Sequence, residues 1–164
     1  MLRRAIDSVP AKRRGIAPEA GRWSVDGVVE HLAIVEQRIV GTLRGKVDEA
    51  RANGVAPETD DSSVLDEATL RRVLNRTVKI SASEAAQPKG VMDAESAWAA
   101  LQRSRERLHD LLRDVDGLAG REILAPHPVL GPIDLYAWIG FVGAHEARHA
   151  DQIREIGALV GVEA

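Results

Sequence analysis

The sequence predicts an all-α fold, a four-helix bundle with a shortened first helix, and three observations carry that expectation. Apolar residues recur at helical spacing over long stretches, capping residues stand just ahead of those stretches, and alternating β-branched or aromatic runs are hard to find. The chain has 164 residues, of which 45% are hydrophobic. That is enough for one sizeable core, so residues 1–164 read as a single domain.

Residues 2–9 give only a short amphipathic piece. The first long helix takes Ser24 as N-cap, places Asp26 in its first turn, and carries Val25, Val28, Val29, Leu32, Val35, Ile39, Leu43 and Val47 along one stripe. It should stop near Asn53-Gly54. A second short helical piece covers 64–76, and the stretch from Arg76 to Met92, with Pro88-Lys89-Gly90 inside it, reads as a connecting loop. Asp93 announces the next long helix, which runs through Trp98, Leu101, Leu108, Leu112 and Val115 before Asp116-Gly117 ends it. The last helix follows Gly131-Pro132, is capped by Asp134, and turns Trp138, Phe141, Val142, Ile153, Ile156 and Val160 inward.

Composition removes several classes of function. Lysine and arginine total 22 against 25 acidic residues, a net charge of −3. The basic residues are scattered over helix surfaces beside acidic ones, so no stripe could follow a phosphate backbone and nucleic acid is not an expected partner. Cysteine is absent. That rules out disulfides, thiolate nucleophiles and cysteine-ligated zinc, and any thiol chemistry would need a thiol from outside. The N-terminal residues have no apolar core of signal-peptide length, and no segment approaches about 18 uncharged apolar residues, so the expected protein is cytoplasmic with no membrane partner.

The chemistry lies in His145-Glu146-Ala147-Arg148-His149. Histidines four apart on a helix differ by about 40° in direction and about 6 Å in rise, so two imidazoles can reach one ion. On the helical wheel both fall in or beside the apolar stripe of the last helix. Two imidazoles buried there need partners, and a shared divalent cation satisfies both in their neutral forms. The plain alternative is a pair of core histidines bonded to carbonyls or carboxylates. A third ligand would come from another helix, and His31, at the flank of the first long helix's stripe, is the candidate. By itself His31 reads as a boundary histidine making an ordinary hydrogen bond, and it is the inward pair on the last helix that makes it a ligand candidate. His109 reads as solvent-facing, and His127, ahead of Pro128, reads as a pocket-rim residue or as loop structure.

Trp23-Ser24, Glu30-His31-Leu32, the run from His127 to Trp138 and the run from His145 to Ile153 together resemble the DinB-like superfamily of metalloenzymes across nearly the whole chain. The resemblance implies a four-helix bundle, often a homodimer, with a three-histidine site that corresponds here to His31, His145 and His149. It also implies zinc, nickel, iron or manganese as the ion, and thiol-dependent transferase or isomerase chemistry in some branches. One departure is visible: the family's first helix is usually longer than residues 2–9 can supply, so the true N-terminus would be longer or the helix trimmed.

The same residues satisfy the HExxH pattern of zinc peptidases, in which Glu146 would be a general base; the alternative for Glu146 is a solvated charge. The longer peptidase motif needs glycine at 152 and histidine at 155, where Gln152 and Glu155 stand. Three neutral histidines leave an ion with an open position, which suits a metal-dependent transferase or hydrolase acting on a small molecule, with a low-molecular-weight thiol as a possible cofactor. A non-catalytic metal-binding or interaction protein is the competing class, and its site would be closed by a fourth ligand such as Glu30 or Asp134. Gln152 reads as a hydrogen-bonding partner of the site or as a plain boundary residue, and Tyr136 and Trp138 as residues of the mouth or of the core.

Overall fold

A computed structural model describes residues 1–60, 67–77 and 81–161. Among them are five α-helices and one hairpin: α1 (Leu2–Asp7), α2 (Val25–Ala52), α3 (Glu67–Leu74), α4 (Ala94–Asp114), β1 (Leu124–His127), β2 (Gly131–Asp134) and α5 (Leu135–Val160). Three of the helices are long, so a bundle of four comparable helices does not form from the described residues. Positions 64–66 of the expected second short helix lie outside them, as do 78–80 of the expected loop.

The caps act where the sequence places them. The Ser24 side chain accepts from Gly27 N–H, that of Asp93 from Ser96 N–H and that of Asp134 from Ala137 N–H, each satisfying a first-turn donor that has no partner within its helix. Asp26 reaches across and accepts from the backbone N–H of Ala94 at 2.9 Å, so the first turns of α2 and α4 are tied together. Val35 and Phe141 are only half-buried, and α4 is rotated slightly from the expected face. Its buried line is Ala94, Ala97, Leu101, Ser104, Leu108 and Leu111, with Trp98 and Leu112 at the edge. The alanines let α2 and α4 approach closely.

The all-α expectation is corrected by the antiparallel hairpin of β1 and β2, in register from Leu124 opposite Asp134 to His127 opposite Gly131. It escaped the sequence reading because each strand has four residues, Pro126 faces Pro132, and a single β-branched residue, Ile133, marks it. Its turn depends on Gly131, whose φ of 77° lies in the left-handed region.

The short helix α1 packs Leu2, Ala5 and Ile6, with Val9 behind them, against the C-terminal half of α5. The fit is close enough that a Cβ on Gly157 would meet Val9 Cγ2 at 2.7 Å. Arg3 then joins α1 to the start of α4 through Glu95, at 2.6 Å.

Apolar packing divides into two clusters. One joins α1 to Val25–Ala33 of α2, the start of α4 and the end of α5; the other joins Ile39–Val47 of α2, the end of α4, the hairpin and the start of α5. Between them runs a belt of polar side chains at mid-depth: His31 and Glu36 on α2, Ser104 and Arg105 on α4, His145, Glu146 and His149 on α5. Breaking an apolar core with polar groups costs free energy unless each group is paired, so the belt is where function is expected. No helix among the described residues is long and apolar enough to cross a membrane.

Candidate metal centre

His31 comes from the second turn of α2, and His145 and His149 from consecutive turns of α5. The structure brings all three together, with one nitrogen from each lying within 4.8 Å of the others. His31 and His149 are buried, while His145 lies at the edge of the belt with its ring stacked on Phe141 at 5.2 Å and 16°.

The hydrogen bonds select the tautomers. His31 Nδ1 lies 2.6 Å from the carbonyl oxygen of Ala86. A carbonyl only accepts, so Nδ1 carries the hydrogen and Nε2 keeps its lone pair. His149 Nδ1 is 2.7 Å from Gln152 Oε1, which fixes the same tautomer and gives Gln152 the role of orienting that ring. The Nε2 atoms of His149 and His145 stand 3.1 Å apart. Two lone pairs at that separation repel unless a proton or a cation lies between them. A tetrahedral ion with bonds of about 2.0–2.1 Å holds its ligand nitrogens about 3.3 Å apart, close to what is seen.

Burial and neighbouring charge favour the neutral imidazoles that a metal requires. Burial is the main force pushing His31 below the ordinary histidine range, opposed by its bond to Ala86. His145 is held well below that range, first by burial and then by repulsion from His149 and His31. His149 is pushed down to about 3, by burial first and by His31 second.

Neither proposed closing ligand joins the three. Glu30 is fully buried, but its carboxylate accepts from the backbone N–H groups of Gly90 and Val91, at 2.8 and 3.4 Å. Together with His31 it pins the loop that leads to α4. Asp134 is committed to its cap.

Glu146 is an ion-paired residue of the belt rather than a solvated charge. The Arg105 guanidinium grips Glu36 through Nε and Nη2, both at 2.8 Å, and reaches Glu146 Oε2 at 2.7 Å. Glu146 is thus engaged by Arg105 within the belt. Tyr136 also lies away from the three histidines: its hydroxyl donates to Glu58 at 2.6 Å, and its ring packs on Gly120. Trp138 is core, donating through Nε1 to the carbonyl of Ala125. His109 is exposed, as expected.

Three further rings flank the histidines. Trp23 lies 4.7 Å from His31, ring to ring, and Phe141 backs His145. His127 is carried by the hairpin onto the other side of Phe141, at 4.5 Å. The sequence signals for them were the position of Trp23 before the Ser24 cap, the inward stripe that holds Phe141, and the loop that carries His127 ahead of Pro128.

The family model of the DinB superfamily matches residues 1–153. An uncharacterized protein of Bacillus subtilis (strain 168), YuaE, is 26% identical over 140 residues, spanning 85% of this chain and 80% of its own length. No solved structure gives a significant match.

Proposed function

The chain belongs to the DinB superfamily, and we propose that it is a metal-dependent enzyme acting on small molecules, with one divalent cation held by His31, His145 and His149. The observation that carries this reading is the meeting of three imidazole nitrogens within 4.8 Å from two helices, two of them with tautomers that direct Nε2 to the common point. An all-imidazole set suits zinc, nickel or iron. Zinc or nickel is favoured, with iron or manganese as the other candidates.

When bound, the cation supplies Lewis acidity and lowers the pKa of a water or thiol that reaches it. The protein's own contribution is orientation: the Ala86 carbonyl and Gln152 hold two of the rings, and Glu30 fixes the loop that supplies Ala86. With Glu30 and Asp134 engaged elsewhere, the site is of the open type that a substrate can share. Because the chain has no cysteine, a nucleophilic sulfur would come from a low-molecular-weight thiol. In such a transfer sulfur bonds to an electrophilic carbon, the leaving group departs with its electron pair, and the thiol proton passes to solvent.

Elemental analysis of protein purified without chelator, followed by a turnover screen of electrophiles with and without low-molecular-weight thiols, tests the reading. One equivalent of metal and thiol-dependent product are the expected results. Protein that neither retains nor takes up a divalent ion would overturn it.

A further inference from the structure

His127 is nine-tenths buried, at 8% exposure, yet only one of its ring nitrogens is used. Its Nδ1 accepts from the backbone N–H groups of Val129 and Leu130, both at 3.1 Å, in the hairpin turn. A nitrogen that accepts two such bonds carries no hydrogen, so the hydrogen of the neutral ring is on Nε2. Among the described residues no group accepts from Nε2, and no unpaired side-chain nitrogen is wholly enclosed. Nε2–H is thus a donor that the described residues leave unpaired and do not wholly enclose. The hairpin that holds it is anchored beneath: the Trp138 indole, 5.0 Å from the His127 ring, bonds back to Ala125 of β1.

The donor belongs to the same row of rings as the candidate metal centre. His127 packs edge-on against Phe141 at 4.5 Å, and Phe141 stacks on His145. Three arginines are among the charges that act on these rings. Arg72 depresses the pKa of His127 after burial has done so, and Arg148, anchored on the carbonyl of Val73 at 3.2 Å, acts on His145 and His149. Arg76 adds to them, although Glu155 is its ion-pair partner. A site with neutral ligands, a divalent cation and flanking arginines favours an anion.

We propose that the small molecule taken by this site carries a carboxylate, and that His127 receives it through Nε2–H, one aromatic ring away from the three histidines. This rests on the reading of His31, His145 and His149 as a metal centre. The aromatic floor of Phe141 suits a ligand with a flat apolar body between its reacting end and its carboxylate.

Benzoate and the isosteric neutral benzamide serve as probes, observed by NMR of protein labelled with ¹⁵N-histidine, with and without one equivalent of zinc. The variant His127→Asn keeps a side-chain acceptor for the turn and removes the ring donor. The expected results are a His127 Nε2–H tautomer, a saturable shift of that resonance with benzoate, binding at least about ten-fold weaker for benzamide and for His127→Asn, and unchanged zinc affinity in the variant. Zinc uptake with no benzoate effect on His127, or equal affinity for the two probes, would overturn this inference and leave the metal centre standing. Failure to take up zinc, with benzoate still shifting His127, would overturn the metal centre and leave the carboxylate site standing. If His127→Asn does not fold, the benzoate and benzamide titrations of the wild type decide.

Discussion

Two polar clusters occupy the belt between the apolar cores, and they are solved in opposite ways. Arg105, Glu36 and Glu146 bring both signs of charge, and their hydrogen bonds close among themselves at 2.7–2.8 Å. Burial is offset internally, and nothing from outside is needed. His31, His145 and His149 bring three bases, each pushed toward its neutral form by burial. One nitrogen of each lies within 4.8 Å of the others, an arrangement that a shared cation would satisfy. Both clusters join α2 to α5, yet one pairs its own charges and the other sets three bases facing one another.

The largest expected effect separates the two at once. His145→Ala or His149→Ala should each abolish stoichiometric metal binding in elemental analysis, because neither leaves a chelating pair on α5; full metal retention in either would remove the assignment. Next, His31→Ala should weaken metal affinity by more than about 100-fold, beyond what loss of a supporting hydrogen bond does. It should also shrink the drop in melting temperature that a chelator causes, because binding free energy adds to the stability of a fold the ion bridges. Calorimetric titration and melts with and without chelator measure both.

The self-sufficient cluster should respond in reverse. Arg105→Met leaves Glu36 and Glu146 without their partner, and should cost about 2–3 kcal/mol in urea unfolding, discounted because the arginine is partly exposed. Metal affinity per folded molecule should change little. Replacing all three residues by apolar ones should recover most of the loss, and failure to recover would show that Glu146 serves the histidines directly.

The smallest effect is at the surface, where Arg3 and Arg14 hold Glu95 and depress its pKa to about 2. A carboxyl with a lowered folded-state pKa contributes stability that is present above its ordinary value of 4.5 and lost as pH falls toward 2. Glu95→Gln should therefore flatten the acid side of the melting profile by a slight amount and leave pH 7 nearly unchanged, as exposed ion pairs do. Melts between pH 7 and pH 2.5 test it.

What was legible in the sequence follows from how far each signal reaches along the chain. The three caps and the pair His145 and His149 are encoded within one helical turn, and spacing alone exposes them. His31 needed the added argument that an inward pair wants a third partner, together with the family resemblance. The Arg105 cluster joins residues 69 and 41 positions apart, and no local pattern marks such a pairing, so Glu146 was weighed as a base. His127 was read as a pocket-rim or loop residue, but the hairpin that carries it was not foreseen, because two prolines in four-residue strands argue against pairing.

Those prolines have a consequence for how the protein behaves in a crowded solution. A two-stranded ribbon has a pair of edges, and unused N–H groups along an edge invite a strand from another molecule. Pro126 and Pro132 face each other in the register, so theirs is a pair that exchanges no bonds, and the missing N–H groups are ones that would have pointed outward. The hairpin can therefore present His127 while its rims offer few donors to template aggregation.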